Sequence, residues 1–293
     1  VSSMDDGSSH CVHDAYHYQY SDVDSLIGAD SMNATQTLHL ALPQFQSFSV
    51  LLVRIAGIIS VFPILNTLTI PMPVKAGLVT MLGLVLAPII HLPSFPADPV
   101  LVIAGIGSEF LIGLTIGLAV RLLFAGFQMA GELVGTQMGF SAIQMFDPMS
   151  HQNAPIIAQF QLTLGSLVFL SLNAHLLVVH AIGMSYEFVP PFGAKLSDGI
   201  ATDIIHLAQN MLGVALKLAA PVFATLLIVN TVLAILGRAV PQMNVFVLSF
   251  PITIGAGLFA MSLAMPFTLS LFEKEFENLV ETMLSLLKGL GHG

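Results

Sequence analysis

The chain has 293 residues, of which 55% are apolar and only 9% are charged. Soluble globular domains carry about a quarter charged residues, so this composition excludes an ordinary water-soluble fold. The net charge is −9 and the eight Lys and Arg residues are dispersed along the chain, which provides no basic patch for nucleic acid phosphates. The single cysteine excludes an intramolecular disulfide and a Cys-x-x-Cys metal site.

The first 40 residues are polar and rich in Ser, Asp, His and Tyr. They contain neither a basic leader nor an apolar run, so they do not resemble a secretory signal peptide. We expect residues 1–40 to be disordered, and residues 1–31 to form an extension upstream of a natural start at Met32.

From residue 41 to residue 293 the pattern predicts one all-α domain of apolar helices and hairpins embedded in a membrane. The uncharged stretches 76–97, 148–186, 218–237 and 239–272 match or exceed the roughly 20 residues that cross a bilayer core as a helix. So many apolar helices in one chain favour an integral membrane protein over a large soluble core. Prolines and glycines punctuate the pattern. The predicted helices are 48–65, 74–90, 100–126, 127–142, 154–189, 204–238 and 244–271.

The last segment, 272–288, is predicted to be an amphipathic helix. Apolar residues recur at helical spacing from Phe272 through Phe276 to Leu287, whereas Glu273 and Glu277 lie off this stripe. Such a stripe either docks on a partner or a membrane surface, or packs against the chain's own bundle. The sequence leaves both alternatives open.

Charged residues inside apolar sequence are candidate functional residues, because an unpaired charge within a membrane is costly. Glu109 and Arg121 lie about three helical turns apart, too far for a direct pair on one helix. Together with Glu132, they form either a proton or substrate relay, as in a secondary transporter of a small solute, or ion pairs with other helices or subunits. The lack of clustering favours ion pairs. The candidates for such pairs are Arg54, Glu109, Arg121, Glu132, Lys217 and Arg238.

Small residues recur at a spacing of four at Gly113 and Gly117, and again at Gly131, Gly135 and Gly139. Ridges of this kind allow helix backbones to approach closely in apolar surroundings. The first pair, together with Gly131, is therefore predicted to be a helix packing or assembly face.

The segment 135–150 is uncharged until Asp147, rich in Met, and contains both Phe and Gly. Met side chains deform to fill gaps, and Gly permits backbone rearrangement. These properties fit a gate, but composition alone favours the alternative, ordinary core packing next to a loop. The candidate gate residues are Gly135, Gln137, Met138, Gly139, Phe140, Met145, Phe146, Asp147 and Pro148.

Sequence signatures of enzymes are missing: there is no His-Glu-x-x-His, no Gly-x-Ser-x-Gly, no Walker loop and no dinucleotide fingerprint. His175 and His180 are five residues apart on an apolar helix, which rotates them off a common face, so this pair predicts no metal site. We therefore expect no catalytic site, no metal and no cofactor. An intramembrane hydrolase is the least favoured function, because no nucleophile is paired with a base.

Five passages within residues 45–285 carry a resemblance to a known family. The most specific is PQMNVF at residues 241–246. The others are RIAG at 54–57 followed by Pro63 and Pro71, the glycines Gly113 and Gly117, the run 130–148, and Asn173 with His175 and Ser185. Together they resemble the flagellar biosynthesis protein FliR and its injectisome counterparts, which are membrane components of the type III secretion export apparatus. The string at 241–246 is more similar to the flagellar branch.

The resemblance implies a subunit that joins FliP and FliQ around a channel for unfolded proteins, with FlhB contacting the outside of this gate. It also implies a location in the bacterial inner membrane, at the flagellar basal body, and a FliP-like portion followed by a FliQ-like helical hairpin. In this family a loop that helps to plug the channel corresponds to residues 135–150. Much apolar surface would then be buried against neighbouring subunits rather than lipid. The bend residues expected to act in assembly are Pro241, Gln242, Asn244 and Phe246.

Overall fold

The computed structural model describes residues 45, 48–65, 70–88, 90, 98–140, 156–193, 199–240, 242 and 245–291. Within these residues the secondary structure is helical and contains no strand, so the all-α prediction is confirmed. The helices are α1 (Phe48–Val61), α2 (Met72–Leu86), α3 (Pro99–Gln137), α4 (Ile156–Ser171), α5 (Ala174–Phe188), α6 (Gly199–Ala239) and α7 (Val245–Gly291). The predicted extension over residues 1–40 lies outside the described residues.

Three of the described helices, α3, α6 and α7, are long and apolar enough to cross a membrane. A fourth span results if α4 and α5, which meet at a bend of 68°, are taken as one broken helix. In the most apolar part of α3, 50% of the residues are buried, against 28% in α6 and 22% in α7. Helix α3 is therefore the central helix, while α6 and α7 present much of their apolar surface to the outside.

Helix α3 runs without a break for 39 residues, so the predicted boundary between residues 126 and 127 is wrong. Gly126 marks a close contact instead of a helix end, because a Cβ there would lie 3.0 Å from the carbonyl oxygen of Met211 on α6. The helix begins where the Asp98 side chain accepts a hydrogen bond of 2.9 Å from the Val100 N–H, with Pro99 in the first turn.

The predicted helix over 154–189 is two helices. Leu172 and Asn173 separate α4 from α5, and Asn173 has a left-handed backbone with φ of 54°. Asn tolerates this conformation better than most residues because its short polar side chain bonds locally. No Pro or Gly marks the break, and this is why the apolar pattern alone concealed it.

Helix α7 is also continuous, for 47 residues, although the sequence predicted one helix ending at residue 271 and a second over 272–288. Pro251 and Pro266 lie inside it, and Pro221 lies inside α6. In an apolar bundle, neighbouring helices and side-chain hydroxyls compensate for the backbone hydrogen bond that a proline removes.

The apolar stripe of residues 272–288 packs against the chain's own bundle. Phe272 lies 4.0 Å from Phe127, and Phe276 lies 5.8 Å from Phe124 and 5.4 Å from Phe169, between ring centroids. These rings form the centre of the core between α3, α4 and α7. The same stripe continues through Leu279, Met283, Leu286, Leu287 and Leu290, all of them buried. The charged residues off the stripe, Glu273, Lys274, Glu277 and Glu281, are exposed.

Candidate functional site

A buried ion pair joins α1 to α3. The Nε of Arg54 lies 2.7 Å from Oε2 of Glu109, and both side chains are 0% exposed. Burial of one of these charges alone would be very costly, whereas a hydrogen-bonded pair of opposite charges offsets much of that cost. Arg54 and Glu109 are thus a single structural unit.

The other two nitrogens of the Arg54 guanidinium donate hydrogen bonds to α5 and to the residues that follow it. Its Nη1 donates to the Ser185 hydroxyl at 2.8 Å and its Nη2 donates to the Val189 carbonyl at 3.2 Å. The guanidinium also stacks on the Tyr186 ring, 3.7 Å from the ring centroid. One arginine therefore connects α1, α3, α5 and the turn after α5.

The second oxygen of Glu109 holds that turn. Its Oε1 accepts a hydrogen bond of 3.3 Å from the Phe192 N–H, and the turn closes where the Gly193 N–H donates to the Pro190 carbonyl at 2.9 Å. Phe192 has φ of 62°, a position where Gly is normally preferred. Its ring lies directly on Gly105, where a Cβ would overlap it.

Three glycines explain how Arg54 reaches Glu109. A Cβ at Gly57 would lie 2.6 Å from the Phe110 carbonyl oxygen, and one at Gly117 would lie 2.7 Å from that of Ile58. A Cβ at Gly113 would overlap the Arg54 carbonyl oxygen. The backbones of α1 and α3 are in direct contact along this seam, in the manner of small-residue helix packing. Gly131 makes a similar contact between α3 and α4, where a Cβ would overlap Ala158.

The other charged candidates are not brought together. Glu132 is half-buried and accepts a hydrogen bond of 2.8 Å from the Gln128 amide one turn earlier on α3. Arg121, Lys217 and Arg238 are exposed, and in the described part of the chain none of these three forms an ion pair.

The described part of the predicted gate lies at the C-terminal end of α3, where Met138 packs against α6 and α7. Met138 is fully buried in a cluster with Val222 and Ala260, and its carbonyl oxygen accepts a hydrogen bond of 3.2 Å from the Thr253 hydroxyl. Gly139 has φ of 91° and ends the helix. Gly135 is buried, whereas Gln137 and Phe140 are half-buried. Met145, Phe146, Asp147 and Pro148 lie outside the described residues.

The predicted bend between the last two helices is described only in part. Gln242 is exposed, and Phe246 belongs to α7, but its side chain is outside the described residues, as are Pro241 and Asn244. Among the described residues there is also no group of three or more His, Cys, Asp or Glu that could hold a metal ion. His175 is half-buried and His180 is exposed on α5.

The sequence identified Arg54 and Glu109 separately but did not pair them, because they are 55 positions apart in the chain. It did not identify Tyr186, Val189 and Phe192 as their partners. The Pro-Pro-Phe-Gly sequence at 190–193 predicts a turn, but nothing in it indicates that a carboxylate holds the turn.

The hairpin of α6 and α7 exposes large apolar side chains, among them Leu263 at 76% and Phe259 at 71%. Contiguous apolar surface of this extent marks a protein or membrane interaction face. The exposed large apolar residues on α6 are Ile205, Leu212, Leu216, Phe223, Leu227, Ile228, Val232, Ile235 and Leu236. Those on α7 are Val247, Leu248, Ile252, Leu258, Phe259, Leu263 and Phe267.

The sequence of this chain is similar to those of bacterial export proteins. Residues 45–279 match the family model described as bacterial export proteins, family 1. The chain is 31% identical over 244 residues to the flagellar biosynthetic protein FliR of Escherichia coli K12, covering 82% of this chain and 92% of the relative. It is 33% identical over 238 residues to FliR of Pectobacterium carotovorum, covering 80% and 91%. It is 30% identical over 254 residues to FliR of Bacillus subtilis 168, covering 84% and 96%.

Proposed function

Because the chain belongs to the bacterial export proteins, family 1, the family of the FliR proteins, we propose that it is a structural and gating subunit of the flagellar type III protein export gate. In this proposal it forms, with FliP and FliQ, the channel through which unfolded flagellar proteins leave the cell. FlhB contacts the outside of the gate, which lies in the inner membrane at the flagellar basal body. The role is non-catalytic.

The observation that supports assembly is the exposed apolar surface of α6 and α7, whose most apolar parts are only 28% and 22% buried within the chain. In the proposed complex, neighbouring subunits and lipid cover this surface. The α6–α7 hairpin takes the FliQ-like place, and the helices before it form the FliP-like portion. The extra apolar area buried between subunits would stabilise the complex in the way that it stabilises obligate oligomers.

A pull-down of the tagged chain, co-expressed with FliP and FliQ and solubilised in mild detergent, tests assembly. We expect one large complex that contains all three proteins. Phe259→Asp or Leu263→Asp should reduce recovery of FliP and FliQ, because each places a charge on the exposed apolar face. Asn278→Asp adds the same charge at an exposed polar position of the same helix and should leave recovery unchanged. If the wild-type chain, co-expressed with FliP and FliQ, purified as a stable monomer that binds neither protein, the proposal would be contradicted.

For gating, we propose that residues 135–150 form a plug whose fixed end is Met138. The burial of Met138 between α6 and α7 supports this, because it anchors the point from which the plug begins. Replacing Phe140, Met145 and Phe146 by Gly should preserve assembly and make the closed channel leak ions. The measurement is ion conductance in cells that carry the complex, with Met138→Leu as the control because it retains the anchor. Unchanged conductance of the triple variant would rule out the plug.

A secondary transporter of a small solute is the alternative function. It relied on Glu109, Arg121 and Glu132, but Glu109 pairs with Arg54 and Glu132 with Gln128, so these three do not form a relay. Uptake of a solute by this chain alone in liposomes would favour the transporter over the export gate.

A further inference from the structure

Both ends of α5 have an unusual backbone conformation. Asn173 precedes the helix with φ of 54°, and Phe192 follows it with φ of 62°. In the described ranges these are the two residues other than glycine with positive φ. Asn tolerates this conformation, but for a bulky residue such as Phe it is an outlier. Residues of this kind persist only where other contacts hold them, and they are frequent in parts of proteins that switch between conformations.

The bend before α5 is not dictated by the local sequence. Helices α4 and α5 meet at 68°, although residues 171–174 contain neither Pro nor Gly. The Asn173 side chain makes no capping hydrogen bond to α5, and Ser171, Leu172 and Asn173 are all exposed. Because this joint has no side-chain cap and is not packed in the core, its angle depends on contacts elsewhere on α5.

Those contacts lie at the far end of α5. Arg54 donates to the Ser185 hydroxyl at 2.8 Å and to the Val189 carbonyl at 3.2 Å. Glu109, which pairs with Arg54, accepts from the Phe192 N–H at 3.3 Å. Arg54 and Glu109 therefore hold the last turn of α5 and the residues after it against α1 and α3.

The docked position of α5 also leaves polar atoms without partners. Three side-chain polar atoms in the described part of the chain are buried without a hydrogen-bond partner. Two of them, Nδ1 of His175 and the hydroxyl oxygen of Tyr186, belong to α5. Buried polar groups of this kind are costly. The position of α5 is thus a balance between costs distributed along the helix and the contacts of Arg54 and Glu109 at its end.

We propose that α5 is a movable arm that pivots at Asn173 and is held in its docked position by Arg54 and Glu109. In the second position α5 lies closer to the axis of α4, Asn173 has helical backbone, and the Tyr186 hydroxyl leaves the protein interior. Hinges are commonly residues at the ends of helices that absorb a large change in φ and ψ. The proposal rests on the fold of this chain and does not depend on the export-gate proposal.

The size of the movement follows from the geometry. Helix α5 has 15 residues, which corresponds to about 22 Å at the helical rise. Removing the whole bend of 68° would carry the far end of the helix about 25 Å from its docked position. The connection to α6 sets how far along this path α5 moves.

Distances between spin labels test the arm in the full chain, purified in mild detergent with Cys11→Ser. One label is attached at Glu187→Cys, which is exposed in the last turn of α5, and the other at Ala104→Cys, which is exposed on α3. A reference pair, Ala104→Cys with Asn278→Cys, joins α3 to an exposed position of α7 and should keep its distance in every variant.

Variants at the two ends of α5 should shift its position. Ser185→Ala removes one hydrogen bond to Arg54, and Arg54→Met removes the guanidinium. Both should add a second, longer distance between the labels on α3 and α5, with more of it for Arg54→Met, because each weakens the docked state alone. The helical circular dichroism signal should remain unchanged, because a swing preserves α5.

The pivot is tested by opposite changes at Asn173 in the Ser185→Ala background. Asn173→Ala should raise the ratio of swung to docked molecules about fivefold, because Ala is costly in the left-handed conformation. Asn173→Gly should lower this ratio, because Gly adopts that conformation readily. Size-exclusion profiles identify any variant that fails to fold, and the Ser185→Ala series carries the test if Arg54→Met is among them.

Three results would overturn the proposal. A single short distance in every folded variant would show that α5 is fixed. A broad distance distribution with loss of helical signal would show that α5 unfolds instead of swinging. Equal effects of Asn173→Ala and Asn173→Gly would show that Asn173 is not the pivot. Because the readout is the position of α5 within this chain alone, failure here is distinguishable from failure of the FliP and FliQ pull-down.

Discussion

The ion pair between Arg54 and Glu109 allows the most direct test of the fold. Arg54→Met keeps an unbranched side chain but removes the guanidinium, and it leaves the Glu109 carboxylate fully buried without its partner. Removing one member of a buried pair costs about 3–5 kcal/mol. The hydrogen bonds to Ser185 and Val189 are lost as well. Since whole proteins are stable by only about 5–15 kcal/mol, the variant should lose a large part of its stability.

The measurement is the loss of the helical circular dichroism signal of the purified chain in mild detergent as a denaturing detergent is titrated. A double-mutant cycle with Glu109→Gln separates the pair from its surroundings. Because Arg54→Met with Glu109→Gln removes both charges, we expect it to cost less than the sum of the single changes by about 1–3 kcal/mol.

Arg238→Met is the control, because Arg238 is exposed at the end of α6 and its replacement should change stability by no more than about 0.5 kcal/mol. Additive costs in the cycle, or a cost below about 1 kcal/mol for Arg54→Met, would show that the pair does not connect the helices as described.

The remaining predictions concern backbone contacts and packing, and each is measured by the same titration. Gly113→Ala should destabilise the chain by about 1–3 kcal/mol, because its Cβ would overlap the Arg54 carbonyl. Gly107→Ala, where a Cβ meets nothing within 4 Å, should be neutral or stabilise by up to about 1 kcal/mol, and equal effects at the two sites would contradict the helix seam. Phe192→Gly should be more stable than Phe192→Ala by about 1 kcal/mol, because the φ angle of residue 192 is 62°. Equal stability of the two variants would mean that the turn has another backbone conformation. Met138→Ala should cost about 2–5 kcal/mol and Met138→Leu less than about 1.5 kcal/mol, and a harmless Met138→Ala would mean that the anchor is not buried.

Local sequence patterns were sufficient for the helical class, the membrane character and the position of most helices. Long uncharged stretches such as 218–237 and 239–272 satisfy the length that a bilayer requires, and this requirement depends on composition alone. Helix ends were less predictable. The break at Asn173 was missed, and Gly126 was wrongly taken as a boundary, because a glycine in a membrane helix marks a close contact as readily as a helix end.

The amino-acid sequence by itself determined which residues cannot face lipid unpaired, and it named Arg54, Glu109 and Arg121 for that reason. Only the tertiary structure decided that Arg54 and Glu109 meet while Arg121 lies in a separate cavity. The physical reason is that pairing depends on the crossing of α1 and α3, which the contact at Gly57, Gly113 and Gly117 sets. Charge and hydropathy are local properties of the chain, whereas the partner of a buried charge is a property of how distant helices pack.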